Sequence, residues 1–547
     1  MDYGKTLHLP ATEFPMRGNL PKREPEYLKF WEDNKIYEKR LELRKGNKSF
    51  VLHDGPPYAN GKLHIGHALN KTLKDIIMKY KTMQGYYTPY IPGWDTHGLP
   101  IEHAIIKNTG LNRHEMSPLD LRAKCKEYAL QCVEEQKKDF IRFGVLGRFE
   151  DPYLTLKPAF EVKQLGIFGE MAKRGYIYKG LKTVYWCTHC ETALAEAEIE
   201  YHEKKSFSIY VKYAYVDEVK RTLPENVDPA KAYAVIWTTT PWTLPASQAI
   251  SVNPDLEYAW VQVGDEYYLM AVELVESAMK DAQVEDYKVV KTFPGSDLEL
   301  ATFKHPFVNR EVKVLLGDHV TLEAGTGCVH TAPAHGEEDF GIFQKYNKEG
   351  KINTEILSFV NATGNYVAAV DNDRYGDTEE MLAGKEIHEA EVPILKILAH
   401  NGALLHKGTL RHQYAHCWRC KNPVIYRATE QWFSSVDGYR KAALDVIDNQ
   451  VQWIPKWGHD RIYNMIADRG DWVISRQRVW GVPIPVFYCD SCGDYVVNDD
   501  TIKSVQAWVA KEGSDAWWNH TAKELLPEGF TCPHCGHGEF HKETDIM

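Results

Sequence analysis

Hydrophobic positions along the chain fall into distinct textures. Between residues 65 and 80 they recur at helical spacing. Ile65, Leu69, Leu73, Ile76, Ile77 and Tyr80 gather near one face, which predicts an amphipathic helix that begins at His64 and stops at Gly85. Residues 50–53 and 86–91 are short runs that predict strands. Between the first run and the helix lies 54–61, DGPPYANG. Its two prolines and two glycines cannot continue a regular element, so it is a loop. Strand, loop, helix, strand is a βαβ unit, which predicts a parallel sheet with helices packed on it. Residues 1–48 are charged, and the absence of turn clusters across 25–45 predicts a helical arm.

Past Cys190 the texture changes. Segments 206–211, 232–237, 257–261 and 312–316 are short and β-rich, separated by turns. They predict a separate, mostly β module of about 200 residues. Around Arg411 a mixed α/β texture returns. The tail from Tyr488 to His541 reads as a small metal-binding module. Neither internal repeats nor low-complexity segments are present.

Composition narrows the function classes. The 547 residues are 44% hydrophobic and 26% charged, as in ordinary globular proteins, and the length suits about three to four domains. No stretch approaches the ~20 apolar residues of a membrane helix. The N-terminus, MDYGKTLHLP, lacks the basic and apolar regions of a secretory signal, so a cytoplasmic protein is expected. The net charge of −11 excludes a simple basic nucleic-acid coat, yet leaves room for a nucleic-acid enzyme with local basic patches.

Eight of the eleven cysteines form four CxxC pairs: Cys187/Cys190, Cys417/Cys420, Cys489/Cys492 and Cys532/Cys535. Cys125, Cys132 and Cys328 stand alone. In a chain without an export signal such pairs point to metal rather than disulfides, and zinc prefers four thiolates in a tetrahedron. The first two pairs bracket the β module. One shared zinc would clamp the feet of that insertion. The last two pairs read as a zinc ribbon, with His534 and His537 as possible substitute ligands. Both zincs would be structural. Redox-active CxxC pairs are the alternative, but no thioredoxin-like context surrounds them.

Residues 51–67 read VLHDGPPYANGKLHIGH. An isolated H-x-x-H is usually a pair of surface histidines. Here His64 and His67 share one face at the first turn of a helix, after a Gly/Pro-rich loop. A helix N-terminus offers unpaired N–H groups and the positive end of a dipole, where polyphosphate binds. Two imidazoles beside it can donate to oxygens that gain charge during attack at phosphorus. The loop is not a Walker P-loop.

These residues carry a resemblance. HIGH, His64 to His67, is the signature of the class I aminoacyl-tRNA synthetases. The string DGPPYANGKLHIGHALNK resembles their isoleucine-specific branch. PGWDTHGLPIE (92–102), WTTTPWTLP (237–245) and DWVISRQRVWGVPIP (471–485) agree. The resemblance implies a Rossmann-type α/β catalytic core split by a β-rich editing domain and followed by a small zinc module. Its implied boundaries are an arm at 1–48, the first part of the core at 49–190, the editing domain at 191–416, the second part at 417–487 and the zinc-ribbon-like module at 488–547. The implied activity is activation of isoleucine with ATP and Mg2+, then transfer to tRNA(Ile), by a protein expected to be monomeric.

In that reading His64 and His67 steady the triphosphate, Asp95 holds the substrate ammonium, and Gly55 and Pro56 line the amino-acid pocket. Valine differs from isoleucine by one methylene, which an apolar pocket rejects poorly, so a second, hydrolytic site is needed. The threonines Thr238, Thr239, Thr240 and Thr243 then face the ribose and ester of misacylated tRNA. In GTGCVHTAPAHGEEDF (325–340), His330 narrows the editing pocket and Asp339 anchors the ammonium. Ser247 stands where the family usually carries Asn, which changes the local hydrogen bonding. The competing readings are a valyl- or leucyl-tRNA synthetase, or a noncatalytic tRNA- or zinc-binding paralogue. The chain holds no KMSKS-type lysine loop, so it is expected to be a truncated form, weak in activation.

Overall fold

The computed structural model describes residues 3–8, 12–13, 17–110, 113–217, 222–376 and 378–547. They form two compact units. One joins Met1–Glu170 to Arg478–Met547, and the other is Met171–Gln477.

In the first unit, the arm predicted over 25–45 is two helices, Leu20–Asp33 and Ile36–Arg44. The break falls at Lys35, whose φ of 49° lies in the left-handed region that ends a helix. The strands predicted at 50–53 and 86–91 are not regular strands. They reduce to one parallel bridge, Ser49 to Tyr87, in which the Phe50 N–H donates to the Tyr87 carbonyl at 2.8 Å. The direction is that of a βαβ unit, but Pro89 and Pro92 remove the donors a longer ladder would use. The next parallel pairing, Gly93–Trp94 with Tyr153–Leu154, is also only two residues long.

The predicted helix is present as Ile65–Met83, but its packing inverts the expectation. Ile65, Leu69, Leu73, Ile76, Ile77 and Tyr80 are all exposed, Ile65 to 85%. The buried residues are Lys71, Met78 and Thr82. Lys71 is drawn in by a buried carboxylate, Asp54, to which it donates together with Lys74. Within this chain the helix buries a paired charge and leaves the apolar stripe uncovered.

The main core of this unit gathers Trp94, Ile101, Cys125, Phe140 and Trp480. Arg122, on the helix Pro118–Arg142, explains why the C-terminal segment joins the N-terminal one. Its guanidinium is 2% exposed. It donates to Asp515 at 2.5 Å, Ser514 at 2.6 Å and the carbonyls of Val479 and Gly481 at 2.5 and 3.0 Å. With four of its five N–H donors met by fixed partners, a buried guanidinium becomes a clamp. The tail folds a three-stranded antiparallel sheet of Phe487–Cys489, Tyr495–Val496 and Phe540–Lys542.

The second unit is built on a ten-stranded, largely antiparallel sheet. The predicted β segments appear in it as Ile199–Tyr215, Ala232–Thr238, Glu257–Val263 and Glu311–Leu316. Alternating apolar positions of these strands, such as Ile209, Val211 and Tyr213, enter one large core. Leu404–Cys417 returns alongside Ile199–Tyr215 in a long antiparallel ribbon whose register ends at Cys417 opposite Ile199. A second sheet pairs Ile177–Cys187 with Ile425–Ser434 over ten residues, placing Ile425 opposite Trp186. These two registers bring residues 187 and 417 to the same place.

Candidate functional site

The histidine pair sits at the start of Ile65–Met83, as its sequence position predicts. His64 is the N-cap. Its Nδ1 accepts the Gly66 N–H at 3.1 Å, and His67 Nδ1 accepts the His64 N–H at 3.2 Å. Both Nδ1 lone pairs are occupied by backbone donors, so the hydrogen-bond pattern assigns the proton of each neutral ring to Nε2. The rings lie 4.0 Å apart. Burial, His64 and Lys71, in that order, hold the His67 imidazolium below its ordinary range. Gly66 is required by proximity: a Cβ there would stand 2.9 Å from His64 Cε1.

Around the pair is a cavity of ≈ 360 Å³ lined by Gly55, Pro57, His64, Gly66, His67, Asn70 and Lys71. The loop reaches it because the Asp95 N–H donates to the Pro57 carbonyl at 2.9 Å and the Ala59 N–H to the Asp95 carbonyl at 2.8 Å. Asp95 is thereby fixed against the loop. Its Oδ1 accepts the His97 N–H at 3.3 Å. Pro56 is half-buried between the lining residues Gly55 and Pro57. Sequence reasoning passed over Pro57, Asn70, Lys71 and Asp54. Asn70 and Lys71 stand three and four residues after His67, a spacing that puts them on its face. Asp54 gives no such local signal.

The threonine run lies in the second unit. Thr238 ends Ala232–Thr238, and Thr243 lies in the short 3-10 turn Pro241–Ala246. The Thr240 N–H donates to Thr238 Oγ1 at 3.1 Å, and the Thr243 hydroxyl donates to the Thr240 carbonyl at 2.9 Å. Thr239 is half-buried. His330 lies on the strand Val329–Thr331, 7% exposed, with Nε2 3.3 Å from Thr243 Oγ1. Its Nδ1 is buried without a hydrogen-bond partner. Burial, with His335 beside it, lowers its pKa to about 4, so the ring is neutral near pH 7.

Asp339 is in the first turn of the helix Glu337–Lys348 and accepts the Ala332 N–H at 2.8 Å. Desolvation pushes its carboxyl up to about 7, opposed by that N–H and reinforced by Glu338. Histidine and carboxylate are thus linked through a two-residue stretch of backbone. Ser247 is different. It is fully buried and takes the Tyr213 hydroxyl at 3.1 Å, so its side chain belongs to the core of the sheet.

The cysteines form two tetrads, Cys187/Cys190/Cys417/Cys420 and Cys489/Cys492/Cys532/Cys535, with the sulfurs of each within 4.8 Å of one another. Tetrahedral zinc–thiolate bonds of about 2.3 Å place sulfurs about 3.8 Å apart. The separations Cys187–Cys420, Cys489–Cys535 and Cys492–Cys532 are 3.5, 3.5 and 3.8 Å. The donor set and its spacing fit a structural four-thiolate metal ion. Among the described residues, His534 and His537 are outside the group.

Comparison with known proteins bears on both units. The family model of tRNA synthetases class I (I, L, M and V) matches residues 26–547. An isoleucine–tRNA ligase of Caldicellulosiruptor saccharolyticus is 56% identical over all of this chain and 58% of its own length. That of Moorella thermoacetica is 56% identical over all of this chain and 57% of its own. The chain therefore spans somewhat over half the length of these curated relatives. A crystal structure of an Agrobacterium radiobacter K84 LeuRS ternary complex is 15% identical, with a TM-score of 0.38, over 97% of this chain and 58% of that one. On the family match and the two whole-chain identities, the chain belongs to the class I tRNA synthetases of the I, L, M and V group.

Proposed function

We propose that this chain carries the activating and editing sites of an isoleucyl-tRNA synthetase. Activation joins the isoleucine carboxylate to the α-phosphorus of ATP, delivered with Mg2+, and releases pyrophosphate. No covalent enzyme intermediate is needed, so catalysis consists of positioning and charge stabilisation. The observation that carries the reading is the capped helix start. Both histidines, each with its proton assigned to Nε2, line one cavity at the start of the helix, which suits oxygens that become more negative in the transition state. Gly55 and Pro57 supply a rigid wall with Pro56 between them, and Asp95, fixed against that loop, is the candidate to receive the ammonium. The isoleucyl group then passes to tRNA(Ile).

The second unit supports a hydrolytic editing role for residues 191–416. A neutral, buried His330 limits the room for a side chain, and Asp339 is suited to an aminoacyl ammonium. Zinc, where bound by the tetrads, supplies crosslinking only. It fixes the feet of the inserted segment at Cys187 and Cys417, and folds the 488–547 tail.

Isoleucine-dependent ATP–pyrophosphate exchange by this chain tests the reading, with valine and leucine as competitors. Isoleucine should be preferred over valine by ~100-fold, about the discrimination one methylene permits. Equal use of leucine, or exchange indifferent to His64→Ala and His67→Ala, would overturn it.

A further inference from the structure

The helix Pro118–Arg142 presents three side chains to the loop that leads into the histidine pair. Tyr128, Cys132 and Gln136 recur every fourth residue, so they share one face. The Tyr128 hydroxyl donates to Asn60 Oδ1 at 3.1 Å, and the Gly61 N–H donates to Cys132 Sγ at 3.4 Å. Gln136, 1% exposed, makes the largest set of contacts. Its Nε2 donates to the carbonyls of Tyr58 and Gly61 at 3.1 and 2.9 Å, and its Oε1 accepts the Trp94 indole N–H at 3.0 Å. A flipped amide would set an N–H against the indole N–H and an oxygen against two carbonyls, so one orientation is fixed. The activation chemistry above uses none of these three residues.

We propose that Gln136 is a positioning residue for activation, holding the outgoing end of the 54–61 loop in register with the Trp94–Asp95 segment. The backbone bonds of Asp95 hold the loop at residues 57 and 59. Gln136 adds residue 61, where the chain turns with a φ of 71°, three residues before His64. The same amide grips Trp94, the neighbour of Asp95. One buried side chain thus spans the segment proposed to take the ammonium and the segment that delivers the histidines. Without it each reactant would keep its own contacts, but the carboxylate and the α-phosphorus would be less well aligned. Alignment governs the rate of the step more than the binding of either reactant. The inference rests on the activation reading for what the alignment serves; the lock itself is a property of the free protein.

The test compares the 547-residue chain with two variants. Gln136→Met keeps the volume and loses all three hydrogen bonds. Gln131→Met, at an exposed position on the same helix, is the control and should match wild type. Amide hydrogen exchange of the free protein is read on peptides covering 55–64 and 258–271. In Gln136→Met it should be ~10-fold faster in the first peptide and unchanged in the second. Isoleucine-dependent pyrophosphate exchange is assayed well below each thermal transition, so that only folded protein counts. Gln136→Met should lose ~10- to 100-fold in kcat, with KM for ATP and isoleucine within ~3-fold of wild type. A side chain that served packing alone would leave both measurements as they are once the protein is folded. If Gln136→Met fails to fold, Gln136→Asn, whose amide is one methylene short of the loop, takes its place. Equal hydrogen exchange over 55–64 in wild type and variant overturns the proposal, as does an unchanged kcat or a loss confined to KM. Absence of isoleucine-dependent pyrophosphate exchange in the wild type itself would reject the activation reading, while loop protection that depends on Gln136 would leave the lock standing.

Discussion

Replacing Asp339 by Asn should stabilise the protein at pH 8 while removing its proposed editing function. The folded-state carboxyl is at about 7 against an ordinary 3.8. Between those values the folded protein keeps a proton that the unfolded chain has lost. Stability therefore falls as pH rises from about 4 to about 7 and levels off above. A shift of about three units sets a ceiling of about 4 kcal/mol. The side chain is only half-buried, and solvent screening reduces the expected effect to about 1–2 kcal/mol. Asn preserves the acceptor for that N–H and carries no charge, so it escapes the loss.

Thermal unfolding at pH 4.5 and pH 8 measures the difference. Wild type and Asp339→Asn should unfold together at the lower pH, and the variant should unfold several degrees higher at pH 8, at about 2–4 °C per kcal/mol. The same variant should hydrolyse Val-tRNA(Ile) at least thirty-fold more slowly, because an ammonium that loses its partly desolvated carboxylate costs roughly 2–5 kcal/mol. Parallel pH–stability curves for the two proteins would refute the buried-charge argument. Unchanged hydrolysis would refute the anchor.

Metal analysis of protein purified without added zinc should find one zinc per cysteine tetrad, two per chain; intact free thiols without metal would sink the clamp. Cys417→Ser should lower the unfolding temperature more than Cys328→Ser, since Cys328 is a buried residue outside both tetrads. His330→Ala should open the editing pocket and allow correct Ile-tRNA(Ile) to be hydrolysed, measured as deacylation of that ester; no change would remove its sieving role. Gly66→Ala should push the His64 ring off its cap, cost about 1 kcal/mol of stability and slow pyrophosphate exchange by ~100-fold, with little change in the circular dichroism.

The strands of the second unit were legible because short alternating runs have only one way to bury their apolar side, and the structure places four of them within a residue or two of a predicted end or inside a longer strand. The cysteine pairing was legible for a different reason. A structural metal site takes four ligands, so CxxC pairs are expected to meet two by two, and the ribbon registers at Cys417 and Trp186 show how the first two pairs do so. The segments 50–53 and 86–91 do not form the expected strands because hydrophobicity says nothing about donors; Pro89 and Pro92 leave one bridge where a ladder was expected. The motif that points to Ser247 carries no signal for the direction of its side chain, which meets the Tyr213 hydroxyl in the core.

The helix at His64 shows the deeper limit. A periodic stripe indicates which face is apolar, and the usual inference is that this face is inside. That step assumes that apolar burial outweighs every competing term for the helix. Here a carboxylate seventeen residues from Lys71 forms a network with two lysines and a tyrosine from three segments. Breaking such a buried pair costs about 3–5 kcal/mol, the worth of about two large apolar side chains at about 1.5–3 kcal/mol each, so the network offsets part of a six-residue stripe and not all of it. The orientation that satisfies Asp54 also puts His64, His67, Asn70 and Lys71 on the cavity and leaves Ile65 and Leu69 in solvent. The site geometry and the charge network thus agree with the same rotation of the helix. Neither is visible in the spacing of its hydrophobic residues, because the partner that decides the matter lies in the loop before it.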